Sequence, residues 1–119
     1  MPQRQLVFVG SSLDDLKSFP EDVKDVFGYA LWLAQDGQKH PDAKPRKGIG
    51  GAGVLEIADA YRGDAYRIIY TTMLSDVVYV LHAFKKKSTS GIATPKQHID
   101  LIKRRLKDAA EIHTERAAS

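Results

Sequence analysis

Residues 66–97 read YRIIYTTMLSDVVYVLHAFKKKSTSGIATPKQ, and the fold turns on how this stretch is parsed. Residues 66–72 and 76–84 are apolar runs rich in aromatic and β-branched side chains, the composition of a pleated, half-buried strand. The link between them is short, so they pair antiparallel as neighbours. Arg67 sits inside the first run, and Lys85, Lys86 and Lys87 stand where the second gives out. Pairing therefore brings the arginine and some of the lysines to one end of a sheet. Fixed positive charge on a rigid sheet suits a phosphodiester and the charge that builds up on it during reaction.

Working back toward the N-terminus, residues 54–61 form another strand, joined to the first by the Arg62-Gly63-Asp64 turn. Three strands with such short links make an antiparallel meander. Residues 38–53 show no apolar period and contain Pro41, Pro45, Gly48, Gly50, Gly51 and Gly53, so they read as a long loop. The glycines fit neither G-x-x-x-x-G-K-[ST] nor a strand followed by G-x-G-x-x-G, which argues against nucleotide binding. Ahead of the loop, Val23, Val26, Phe27, Ala30, Leu33 and Ala34 recur at helical spacing. Ser18-Phe19-Pro20-Glu21 has the form of a capping box, and Gly37 is a natural stop. Trp32 lies across the wheel from Val23 and either packs under a short helix at 13–17 or stands exposed as a partner anchor. Residues 4–9 make a first strand, with Leu6 and Phe8 on one face and Val7 and Val9 on the other.

Toward the C-terminus, Thr94-Pro95-Lys96-Gln97 is a second capping box with proline at the first helical position. It opens a helix with Ile99, Ile102, Leu106 and Ala109 toward the core and Lys103, Arg104 and Lys107 toward water. From about Ile112 the chain is expected to fray. The order β-α-α-β-β-β-α predicts a single α+β domain over residues 1–119, with helices on one face of a twisted antiparallel sheet.

Composition narrows the chemistry. There is no cysteine, which removes disulfides, thiolate catalysis and cysteine metal sites. The four histidines (40, 82, 98 and 113) lack metal-ligand spacing, so no metal and no cofactor are expected. Apolar runs are too short for a membrane span, and the expected location is the cytoplasm. A net charge of +3 hides an uneven distribution. Between residues 14 and 36, six acids stand against Lys17 and Lys24; between 39 and 47, three lysines and Arg46 stand against Asp42 alone. One acidic flank and one basic face result, and a polyanion would select the basic one.

The residues Gly37, His40, Pro41, Lys44 and Pro45, followed by Y-R-I-I-Y at 66–70 and L-H-A-F-K-K-K at 81–87 with Thr94-Pro95, resemble the phage Gp49-like, HigB-type toxins. These belong to the wider RelE/ParE toxin superfamily. The resemblance implies a compact fold on an antiparallel sheet and an endonuclease that cuts messenger RNA on translating ribosomes. It also implies a cognate helix-turn-helix, HigA-like antitoxin. Two other functions remain open: a non-enzymatic ParE-like toxin acting on DNA gyrase, and a harmless phage-derived protein that binds nucleic acid or an antitoxin. Residues 88–93, between the lysines and Thr94-Pro95, look like an insertion relative to that pattern.

Cleaving RNA through side chains alone needs a base for the 2′-OH, donors for the phosphoryl oxygens and an acid for the leaving oxygen. Arg67 suits the middle role, because a guanidinium binds two oxygens at once and keeps its charge. Lys86, Lys87 and His82 are the candidates for proton transfer. Lys44, Arg46, Lys47 and Lys85 are candidates for holding RNA backbone. Tyr61 and Tyr70 could stack on a base or donate to phosphate. Against these stand structural roles: Arg67 paired with Glu56 or Asp59, a solvated lysine run, and His82 as a core histidine.

Overall fold

Strand β4 (Asp64–Leu74) is the centre of the molecule. In the computed structural model, which describes residues 3–46, 49, 53–74, 76–87 and 95–118 (Lys87 by its backbone), it is flanked by β3 (Val54–Tyr61) and β5 (Val77–Lys87). Both neighbours run antiparallel to it. The meander expected from the short links is therefore present, with the β3–β4 turn at Arg62-Gly63.

Two further strands complete a five-stranded sheet in the order β1-β5-β4-β3-β2. β1 (Gln5–Phe8) lies parallel to β5, so the sheet is mixed rather than wholly antiparallel. The long loop contributes β2 (Lys44–Pro45), two residues paired with Glu56 and Leu55, which the two prolines had hidden. A proline-containing pair is tolerated there because β2 is an edge.

The helices divide between the faces, which corrects the one-sided arrangement expected from sequence. α1 (Ser12–Lys17) and α2 (Glu21–Gln35) cover one face. Leu16, Phe19, Val23, Phe27 and Ala30 meet Ile57, Tyr66, Ile68, Tyr70, Val78 and Val80 there. α3 (Lys96–Ala118) covers part of the other, where Ile102 and Ala109 meet Ile69, Tyr79, Leu81 and Phe84. Leu6 and Phe8 join the first core and Val7 and Val9 the second, as strand alternation requires. A sheet buried on both faces explains the near-continuous apolar runs of β4 and β5.

The capping details differ from the sequence expectation. α2 begins at Glu21 behind Pro20, and no side chain caps it; Ser18 Oγ instead donates to the Asp15 carbonyl at the end of α1. Proline supplies a preset φ, and Glu21 and Asp22 meet the positive end of the helix dipole. At the other end Gly37 (φ 78°) closes a Schellman motif: Gln38 N–H donates to the Leu33 carbonyl and Gly37 N–H to that of Ala34. The expected Thr94 cap, the insertion at 88–93 and Lys47 lie outside the described residues. α3 continues as helix to Ala118, past Ile112 where fraying was expected. Trp32 does not pack under α1; it is 49% exposed and stacks on Tyr29.

Candidate nucleic-acid interface

The register decides which charged side chains meet. Directly opposed residues of antiparallel strands share a face. Arg67 opposes Ala58 on β3 and Phe84 on β5; Ile69 opposes Glu56 and His82; Ala65 opposes Lys86. Lys44 opposes Glu56 in turn. Lys44, Glu56, Arg67, His82, Phe84 and Lys86 therefore occupy the α3 face. α3 packs over β5 and β4 and leaves the β2–β3 side open. Asp42, Lys44, Glu56, Ala58 and Arg67 line the resulting cleft, of about 330 Å³.

A bulge brings His82 to this face. Ile69 opposes His82 but Tyr70 opposes Val80, so Leu81 is the extra residue. Leu81 and Phe84 both belong to the α3-side core, whereas Val80 and Ala83 belong to the α2-side core. Parity shifts by one across Leu81, and His82, Phe84 and Lys86 then share the arginine's side. The Leu81 carbonyl accepts from Arg105 NH1 at 3.0 Å, and Arg105 NH2 donates to Ser11 Oγ at 3.0 Å. Ser11 Oγ donates to Asp15 Oδ2 at 2.9 Å. Arg105 is buried with the apolar stripe of α3, a position that helical periodicity marks but whose polar partners it cannot reveal. Gly10 (φ 59°) makes room for it: a Cβ there would stand 2.8 Å from Arg105 Nε.

At the heart of the cleft, Arg67 NH1 lies 3.1 Å from Glu56 Oε1. Of the two carboxylates considered from sequence, Glu56 is thus the partner; Asp59 opposes Tyr66 and belongs to the other face. Arg67 Nε and Glu56 Oε2 are buried without hydrogen-bond partners among the described residues. Each is left with an unused hydrogen bond beside the cleft. Glu56 and Asp42 were missed as site members because an acid in a basic protein reads as a counter-ion until the register puts it beside the arginine.

Other expected residues fall elsewhere. Tyr70 is fully buried on the α2 face, where burial raises its hydroxyl to about 12, and its OH has no partner among the described residues. It cannot meet a base, which corrects the stacking expectation. Tyr70→Phe should accordingly hold or raise stability by up to about 1 kcal/mol, since a buried unpaired hydroxyl is removed; a urea midpoint measures it. Tyr61 packs half-buried on the same α2 face, beneath the Arg62 guanidinium. Lys85 is on that face too, 3.6 Å from Asp64, an exposed pair contributing little. Lys86 is buried on the arginine's face, and Lys87 opposes Asp64 in register. Arg46 follows β2 and its N–H donates to the Val54 carbonyl.

His82 is itself buried, 5% exposed, with Nε2 2.8 Å from His98 Nδ1 and Nδ1 3.4 Å from Arg105 NH1. Phe84 stacks on both imidazoles. Burial pushes His82 down to about 4, with His98 and Arg105 acting in the same direction and Asp15 opposing them. Below pH 6.5 the unfolded chain takes up a proton that the folded chain refuses until about pH 4. Unfolding free energy should therefore fall as pH drops through that window, by about 3 kcal/mol in full, and stay flat above it. Urea midpoints between pH 7.5 and 4.5 test this, and His82→Gln should flatten the slope.

The architecture is that of the RelE toxins. The isolated E. coli RelE toxin matches with a TM-score of 0.53 at 18% identity, over 85% of this chain and 97% of that one. A doubly substituted E. coli RelE in the free state matches with 0.51 at 17% identity, over 75% and 87%. The Mycobacterium tuberculosis RelBE2 toxin-antitoxin complex matches with 0.45 at 21% identity, over 74% and 95%. No curated protein matches the chain. Residues 14–107 match the model of the phage-derived Gp49-like proteins, and the chain belongs to that family. Among the described residues, no helix is long and apolar enough to cross a membrane.

Proposed function

We propose that this protein is the toxin of a toxin–antitoxin pair and cleaves messenger RNA on the ribosome, using side chains for the whole reaction. One observation carries this: Arg67 stands in an open cleft on a rigid sheet, flanked by Lys44 and by a carboxylate with a free oxygen. The likeness to structures described as E. coli RelE toxin supports it. Arg67 binds the scissile phosphate and neutralises charge as it builds. Glu56 takes the proton of the 2′-OH, whose oxygen attacks phosphorus; the bond to the 5′ oxygen breaks and a 2′,3′-cyclic phosphate forms. Lys86 gives a proton to that 5′ oxygen. Lys44, Arg46 and Lys47 hold the backbone of messenger or ribosomal RNA. His82 acts from beneath through His98 rather than by touching RNA. A helix-turn-helix antitoxin of the HigA kind covers or restrains this basic surface in the cell.

Induced expression in bacteria, with growth followed and mRNA ends mapped, tests the assignment. Growth arrest with new ends inside translated frames is expected. Arrest with intact messages would transfer the target to gyrase or another partner, and unhindered growth would leave a binding protein.

A further inference from the structure

His98 opens a second line of contact with the cleft. Its ring stacks on Phe84 with centroids 4.1 Å apart, and Phe84 is the residue opposite Arg67. Opposed Cα atoms in such a pair are about 4.5–5.5 Å apart. Arg67 and His98 thus border one aromatic ring, and RNA crossing the strands from Lys44 over Arg67 next meets the imidazole. Unlike His82, His98 is half-buried and keeps access to solvent.

We propose that His98 is a neutral hydrogen-bond donor to the phosphodiester bound by Arg67, its Nε2–H presented by a relay that starts at Arg105 and passes through His82. The inference rests on the cleft being a phosphodiester site.

Charge and geometry fix the direction of the relay. Arg105 carries only donors, so His82 Nδ1, which faces NH1 at 3.4 Å, must be an acceptor. The proton of neutral His82 then resides on Nε2, which donates to His98 Nδ1 across 2.8 Å. With Nδ1 accepting, neutral His98 carries its proton on Nε2, the nitrogen left for a ligand. Protonated His98 would put a second donor against His82 and force it to turn its own proton toward the guanidinium. The arrangement therefore opposes the cationic form. His82 and Phe84 face the pair from β5 and Arg105 from α3, where the guanidinium opposes a cationic ring; Asp15 of α1, hydrogen-bonded by Ser11, acts on His82 in the other direction and is outweighed. Burial lowers His98 as well, in keeping with a neutral ring.

A neutral imidazole cannot serve as an efficient acid, but it hydrogen-bonds a non-bridging oxygen throughout the neutral pH range. His98 is thus a binding and charge-stabilising group, and His82 and Arg105 are positioning residues. This separates it from an acid–base histidine, which would leave its own titration in the rate.

The test uses long-range 1H–15N spectra of the intact 15N-labelled protein, with and without an all-2′-deoxy oligonucleotide that cannot be cleaved. At pH 7 His98 should be neutral with the proton on Nε2. Added oligonucleotide should shift that nitrogen, and Arg67→Ala should abolish the shift. The other tautomer, or a protonated His98, would overturn the inference. So would Arg67-dependent binding, seen by fluorescence anisotropy, that leaves His98 unmoved; the phosphodiester site would then stand without it. Absence of binding to the intact chain would remove the site and the inference together. In cleavage, His98→Ala should lose about 10²-fold, while His98→Gln, whose amide can donate, should recover most of the loss.

Discussion

Arg67→Ala should reduce cleavage by about 10²–10³-fold, the usual cost of removing one preorganised donor to a charged transition state. The fold should survive, since the side chain lines an open cleft rather than a core. The deletion also leaves Glu56 without its 3.1 Å partner, adding a repulsive charge beside the incoming phosphate. Arg67→Lys would restore the charge but not the paired donors, and should recover only part of the loss. Single-turnover cleavage on programmed ribosomes distinguishes the two, with urea midpoints confirming that stability is intact. Unchanged cleavage in Arg67→Ala would reduce the arginine to a sheet-spanning ion pair and take the proposed site with it.

Glu56→Gln is expected to separate two roles of the carboxylate. As the base it should lose about 10²–10⁴-fold in rate. As a mere counter-ion, its neutralisation should instead free Arg67, so that RNA binds more tightly and cleavage persists. The amide preserves shape and can still accept from the guanidinium, so packing is little disturbed. We expect slower cleavage together with equal or tighter binding of an uncleavable RNA. Faster cleavage would assign the base elsewhere, with Asp42 across the cleft next in line.

How much of this was visible in the chain follows from the range of each signal. Strand and helix periodicities are local, so β3, β4, β5 and the apolar stripe of α2 were legible residue by residue. Arg67 and Lys86 could be brought together because a tight meander leaves little freedom of register. The parallel pairing of β1 with β5 was not legible, because it joins segments some seventy residues apart with no local mark. The same holds for the side of the sheet that α3 occupies. Tyr61 and Tyr70 were assigned to RNA on ring chemistry alone; alternation from Arg67 already sets Tyr70 on the opposite face, and the register with β3 does the same for Tyr61. His98 looked like a solvated helix residue, and its stacking on Phe84 and its hydrogen bond to His82 show otherwise.

The extra residue at Leu81 makes β5 a ruler read in two frames. Before it, odd-numbered side chains serve the α3 core; after it, even-numbered ones do. Deleting the extra residue would merge the two frames into plain alternation and leave the histidine and Lys86 facing α3, whereas deleting a residue between them would turn Lys86 toward α1 and α2. Such a chain could fold and still be chemically silent. Equally, an alignment that slides one gap along this strand would pair active chains with inert ones while scarcely changing its score. Spacing from His82 to Lys86 is therefore a stricter mark of a working copy than the presence of either residue.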